Sequence, residues 1–150
     1  MHRSSKLAVL ALCAAAFASA AWAESPAAPK DLAKEAAKEK GAVVTASGLV
    51  FRSLKDGTGK NPTASDAVTV NYRGTFADGT EFDSSYKRGE PATFPLNRVI
   101  KCWTEGVQLI KVGGKGKLTC PASIAYGERG AGPIPPNTTL QFEVELLKIN

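Results

Sequence analysis

Apolar and polar positions alternate along two stretches of the chain with the period of a half-buried strand. Val68, Val70 and Tyr72 are interleaved with Thr69, Asn71 and Arg73, and Leu140, Phe142, Val144 and Leu146 with Gln141, Glu143 and Glu145. Each segment can therefore bury one face and wet the other. Shorter strands are predicted over 49–54, closed by the turn Asp56-Gly57, and over 115–120. Asp78-Gly79 signals a hairpin into Glu81-Phe82-Asp83, and 93–96 reads as a short extended piece. The period changes once: Trp103, Val107 and Ile110 fall at i, i+4 and i+7 before Gly113-Gly114, which predicts the one convincing helix. Residues 127–137 are dense in Gly and Pro and read as a loop. The expected class is α+β: an antiparallel sheet of five to six strands covered by one short helix.

This patterning occupies 47–150, about a hundred residues and enough for one self-sufficient core. The two stretches before it differ in kind. Arg3 and Lys6 precede an apolar run from Leu7 to Ala18, and Ala21-Trp22-Ala23 offers a cleavage site, with Ala18-Ser19-Ala20 as an alternative. Residues 1–23 are therefore read as a secretory signal peptide rather than a membrane span. Leu10-Ala11-Leu12-Cys13 superficially resembles a lipoprotein box, but the bulky Leu12 stands where a small residue belongs, so Cys13 is read as signal filler and no membrane anchor is expected. Residues 24–46 are mostly Ala, Lys, Glu and Pro up to Lys40. Capped at Asp31 they can form a helix, and with no apolar stripe they are read as a polar linker or a short solvated helix.

Charge and composition then exclude several functions. The chain has 19 Lys+Arg and 14 Asp+Glu, a formal charge of +5. Removing 1–23 takes Arg3, Lys6 and no acid, leaving 17 basic against 14 acidic residues, or +3. That excess is too small to point to nucleic acid. His2, the only histidine, leaves with the signal, which rules out Ser-His and Cys-His hydrolases and makes a zinc site unexpected. Cys102 and Cys120 remain, and an even count in an exported chain favours a disulfide over a thiol nucleophile, with two buried thiols as the alternative.

Three segments, "VTVNYRGTFADGTEFDSS" (68–85), "FPLNRVIKCWTEGVQ" (94–108) and "IAYGERGAGPIPPNTTLQFEVELL" (124–147), together resemble the FKBP-type peptidyl-prolyl cis-trans isomerases. The upstream "TASGLVFRSLKDGTG" (45–59) is similar to exported bacterial members of the Mip and FkpA kind. The resemblance implies an FKBP-like sheet wrapped round a helix, with the substrate pocket between them. It implies a catalytic lining of Tyr72, Phe82, Asp83, Ile100, Trp103, Tyr126 and Phe142, with Arg88, Phe94, Val99 and Ile134 contacting substrate. Trp103 would be the floor under the proline ring, and the loop over 130–136 would overhang it. Further implications are proline-containing polypeptide clients, macrolide inhibitors such as tacrolimus or rapamycin, no cofactor or metal, a periplasmic location in a Gram-negative cell, and a monomer, since only 24–40 could stand in for the long dimerisation arm of those relatives. Ala92 and Ala131 stand where many members carry an aromatic residue and a histidine, which bears on drug affinity and subsite preference.

Taken singly, none of these residues is diagnostic: a tryptophan in a first helical turn or a phenylalanine in an alternating strand is core by default. Their joint spacing carries the assignment. Two readings of another class compete with an isomerase that assists folding of exported proteins. One is a holdase or binding module that captures chains without turnover; the other is a surface or virulence role.

Overall fold

In the computed structural model of this chain, residues 32–150 are described. The predicted signal peptide, Cys13 and the Asp31 cap lie outside the described residues. The elements in chain order are α1 (Leu32–Ala37), β1 (Ala42–Val44), β2 (Val50–Lys55), β3 (Ala67–Thr75), β4 (Glu81–Ser84), α2 (Ser85–Arg88), β5 (Ala92–Pro95), α3 (Lys101–Val107), β6 (Lys115–Cys120) and β7 (Leu140–Ile149), with 3-10 turns at Leu96–Arg98 and Ala122–Ile124. All the pairings are antiparallel, and the strands run in the order β1-β2-β6-β7-β3-β4. β5 also pairs with β3, at the opposite end from β4: Asp83 faces Gly74 while Pro95 faces Ala67. β4 and β5 are thus two halves of one edge strand, so seven strands fill six positions across the sheet.

The break in that edge has a local cause. Ser84 caps α2 by accepting from Tyr86 N, and Gly89 closes it at φ 72°. This conformation suits glycine because it has no Cβ to clash. The interruption leaves Tyr72 N without a partner on the β4 side, and Ser85 Oγ accepts from it at 2.9 Å while donating to Asn71 Oδ1 at 3.0 Å. A buried amide left unpaired would cost roughly 1–3 kcal/mol, so the serine makes the interruption tolerable.

The alternating positions of β3 and β7 bury as their period requires: Val68, Val70, Tyr72, Leu140, Phe142, Val144 and Leu146 all belong to one core with Trp103, Val107 and Leu118. The helix is shorter than its apolar spacing suggests. α3 stops at Val107, and Ile110 buries from the turn that follows it, with its N–H donating to Val107 O at 3.0 Å. α3 lies close on β6 because Gly106 faces Leu118, where a Cβ would come within 2.6 Å of the leucine side chain. Cys102 and Cys120 are bonded, with Cα atoms 5.7 Å apart, tying the first turn of α3 to the end of β6.

The largest difference from the sequence pattern lies before residue 47. The stretch expected to be a polar linker or short helix contains the helix α1 and also the strand β1, and both are laid on the sheet: β1 pairs with β2, and α1 packs against β1, β2 and β6. Ala36 is buried, but Val43 and Val44 stay exposed. Beside the β1–β2 backbone ladder, the side-chain attachment is ionic. Glu39 accepts from Arg52 Nη1 at 3.0 Å and from Lys117 Nζ at 2.9 Å, contacts that a search for apolar periodicity does not detect. No helix among the described residues is long and apolar enough to cross a membrane.

Candidate active site

A cleft of about 340 Å³ opens between α3 and the β3–β4–β7 side of the sheet, lined by Tyr72, Phe82, Asp83, Phe94, Arg98, Val99, Ile100, Trp103, Tyr126 and Phe142. Its floor is a ring cluster centred on Trp103. Tyr72, Phe94 and Phe142 each meet the indole edge-to-face, with centroids 5.1, 5.5 and 5.4 Å away, and Phe82 meets Phe142 in the same way at 5.6 Å. Edge-to-face pairs are favoured by the ring quadrupoles, and they fix each plane against its neighbour. The indole is 4% exposed and, among the described residues, its Nε1 finds no acceptor.

The local chain explains why the tryptophan sits there. Ile100 O begins α3 by accepting from Trp103 N and Thr104 N, and Thr104 Oγ1 donates back to Leu96 O at 2.6 Å. The helix start is thereby clamped to the preceding 3-10 turn. The disulfide holds the adjacent Cys102 from behind. Gly74 supplies the space on β3: a Cβ there would lie 2.6 Å from the Phe82 ring and 3.0 Å from that of Phe142. This glycine was not singled out by the sequence reading, and only its place opposite Phe142 in the ladder reveals it.

Polar groups stand at the edges of the cleft. Asp83 is held on both oxygens: Oδ2 accepts from Tyr72 Oη, and Oδ1 accepts from Arg88 Nη1 at 2.6 Å and from Ser84 N at 2.9 Å. Arg88 Nη2 also donates to Tyr72 Oη at 2.7 Å. Partial burial pushes the Asp83 carboxyl up, but the Tyr72 hydroxyl, the Arg88 guanidinium and the Ser84 amide outweigh it and hold the group below its ordinary value. Asp83 is therefore ionised and fixed at neutral pH, a poor proton donor. Burial, and then the nearby Asp83 charge, raise the Tyr126 hydroxyl, so it stays protonated. Tyr126 is brought to the rim by a tight turn in which Gly127 takes φ 58° and its N–H donates to Ala122 O at 2.9 Å. Among the described residues neither the Tyr126 hydroxyl nor the Ile100 N–H has a hydrogen-bond partner.

Most of the residues expected from sequence come together here, with three differences. Arg88 does not line the cleft; it stands behind Asp83 and holds it. Ile134 is buried in the core cluster, because the Gly-Pro loop folds back through paired Ala131–Ile134 hydrogen bonds of 3.0 and 2.8 Å. Arg98 lines the cleft and was not anticipated. No cluster of three or more His, Cys, Asp or Glu side chains that could hold a metal exists among the described residues.

A sheet curled over one helix with an aromatic cleft between them is the FKBP-like arrangement, and comparison with known proteins agrees. The family model described as FKBP-type peptidyl-prolyl cis-trans isomerase matches residues 58–147, and the chain belongs to that family. It is 59% identical over 113 residues to the FKBP-type peptidyl-prolyl cis-trans isomerase FkpA of Aeromonas hydrophila, covering 75% of this chain and 42% of the relative. It is 50% identical over 127 residues to FkpA of Escherichia coli K12, covering 85% and 47%. The crystal structure of Escherichia coli FkpA matches with a TM-score of 0.79 at 51% identity, over 81% of this chain and 57% of that one. A peptidyl-prolyl cis-trans isomerase structure from Pseudomonas syringae matches with a TM-score of 0.75 at 36% identity, over 81% and 90%. The chain spans less than half the length of these two curated relatives.

Proposed function

We propose that this protein accelerates cis–trans rotation of X-Pro bonds in exported polypeptides, by non-covalent stabilisation of the twisted amide in the Trp103 cleft. The observation that carries this reading is a dry, rigid ring cluster whose one nearby carboxylate is ionised and fully engaged. Such a site is poorly equipped for acid, base or nucleophilic chemistry and well equipped for a reaction that needs none. The rotation barrier is about 18–20 kcal/mol, and lowering a reaction of tens of seconds to milliseconds takes roughly 7 kcal/mol. The planar amide is the more polar form, since resonance places negative charge on its oxygen. At the twisted transition state that resonance is lost. An apolar cleft therefore penalises the planar state more than the twisted one, which is differential binding of the transition state.

In this scheme Trp103 supports the proline ring, with Phe82, Phe94, Val99 and Phe142 as walls. The unpartnered Tyr126 hydroxyl and Ile100 N–H donate to substrate carbonyls, and Asp83, oriented by Tyr72 and Arg88, faces the reacting amide. A signal peptide in 1–23, and relatives from Gram-negative bacteria, support action in the periplasm on folding clients, by a monomer whose state sedimentation would check. Macrolides such as tacrolimus would compete for the same cleft.

A protease-coupled assay on a proline peptide tests this. Phe82→Ala and Asp83→Ala should each lower kcat/KM about tenfold or more, roughly 1.4 kcal/mol, with unchanged circular dichroism. Native protein with rates no higher than buffer would leave only the holdase reading, and full activity in both variants would overturn the site.

A further inference from the structure

The cleft is lined by two charged residues, and they are held in opposite ways. Asp83 has its charge met by Arg88 and its second oxygen occupied by Tyr72. Arg98 is exposed and has no hydrogen-bond or ion-pair partner among the described residues. Its backbone, by contrast, is fixed. Arg98 ends the 3-10 turn that begins at Leu96, whose N–H donates to Asp66 O at 2.9 Å and whose carbonyl accepts from Thr104 Oγ1. A free guanidinium on a rigid root therefore stands at the lip of an apolar cleft, immediately before the Val99 wall and the open Ile100 N–H.

The two charges also belong to different ends of the site. Asp83 sits opposite Gly74 on β3, whereas Arg98 follows β5, whose Pro95 sits opposite Ala67. A chain crossing the cleft meets a neutralised carboxylate towards one end and an uncompensated cation towards the other. Lys101, in the first turn of α3 three residues further on, is exposed and likewise without an ion-pair partner among the described residues.

We infer that Arg98 is a specificity-determining residue that makes the cleft favour X-Pro segments carrying an acidic side chain on the flank lying over it. This rests on the isomerase reading and adds a substrate class to it. The planar guanidinium fork matches a carboxylate, with two parallel N–H donors for its two oxygens. The apolar cleft beside it lowers the local dielectric, which strengthens the attraction relative to an open surface. A substrate lysine at the same place meets like charge instead.

The test uses proline tetrapeptides with Glu or Lys immediately before or immediately after proline. Isomerisation is followed by NMR exchange so that no protease preference intrudes, and the same peptides are titrated calorimetrically. At low ionic strength the Glu peptide should exceed its Lys counterpart about three- to tenfold in kcat/KM on one flank, from the upper part of the range of an exposed surface pair to above it. The ratio should fall towards one in about 0.5 M salt. Arg98→Glu should invert it and Arg98→Gln should level it, with thermal unfolding as a check on the fold. A ratio within about twofold of one on both flanks, or one that Arg98→Glu leaves unchanged, would overturn the inference. If no peptide is turned over but Glu peptides bind more tightly than Lys peptides and Arg98→Glu reverses this, the isomerase reading falls and the charge preference stands. Equal binding without turnover removes both.

Discussion

The cleft and the N-terminal segment are attached to the same sheet by opposite means. Around Trp103, three rings lock a fourth by edge-to-face packing; Tyr72, Trp103 and Phe142 are buried and Phe94 is partly buried. At the other side, α1 and β1 bury little beyond Ala36 and leave Val43 and Val44 in water; besides the β1–β2 backbone ladder, they are held by side chains through Glu39 to Arg52 on β2 and Lys117 on β6. The first attachment depends on apolar burial, which salt and mild pH changes leave almost untouched. The second depends on partly exposed charges, which both alter. The site is therefore built on the part of the molecule least sensitive to its surroundings, and the part that responds to them lies away from it.

The comparison breaks most visibly at Trp103. Replacing it with alanine removes the hub of the ring cluster and should cost about 3–5 kcal/mol in denaturant unfolding, with little dependence on salt. A loss below about 1 kcal/mol would mean that the rings support one another without the indole. Next in size is the disulfide. Cys102→Ser with Cys120→Ser opens a loop of 18 positions, and the chain-entropy model assigns such a loop about 3 kcal/mol. Intact mass with and without reduction, followed by unfolding of the two forms, measures this directly. Two freely alkylated thiols in native protein purified without reductant would remove the staple from the account.

The same contrast explains what could be read in advance. Val68, Val70 and Tyr72, like Leu140 to Leu146, could be read because burial of alternate residues leaves a period in the sequence. α2 could not: Ser-Tyr-Lys-Arg has no apolar stripe, and what makes it a helix is a serine cap, a left-handed glycine and a serine hydroxyl that accepts from Tyr72 N. β1 is three residues with its two valines exposed, a pattern without a buried face. In the cleft, the aromatic residues and Asp83 could be assigned from their joint spacing. The resemblance also implied that Arg88 orients Asp83, but the core position of Ile134 and the open charge of Arg98 could not be read, because each depends on where a loop or edge strand turns. Periodicity records burial; it does not record which charges meet.

Glu39 gives the smallest and most conditional effect, and it isolates the ionic side of the comparison. The hydrogen bond from Lys117, foremost, and then that from Arg52 outweigh partial burial and hold its carboxyl below the ordinary glutamate value. A carboxyl depressed in the folded state binds its proton more readily when unfolded. Its stabilisation is thus fully present above the unfolded value of about 4.3 and is lost as pH falls through the lower folded value. Glu39→Gln should lower stability by roughly 0.5–1 kcal/mol at neutral pH and low salt, and should no longer differ from the native protein once pH drops below that window. High salt should shrink the difference in the same way, while cleavage by protease before residue 45 should become faster in the variant. Isomerase activity on an uncharged peptide should stay within about twofold, since no cleft residue touches Glu39. A pH-independent loss of stability would mean that α1 and β1 are held by their small apolar contacts after all, and that the two regions differ in degree rather than in kind.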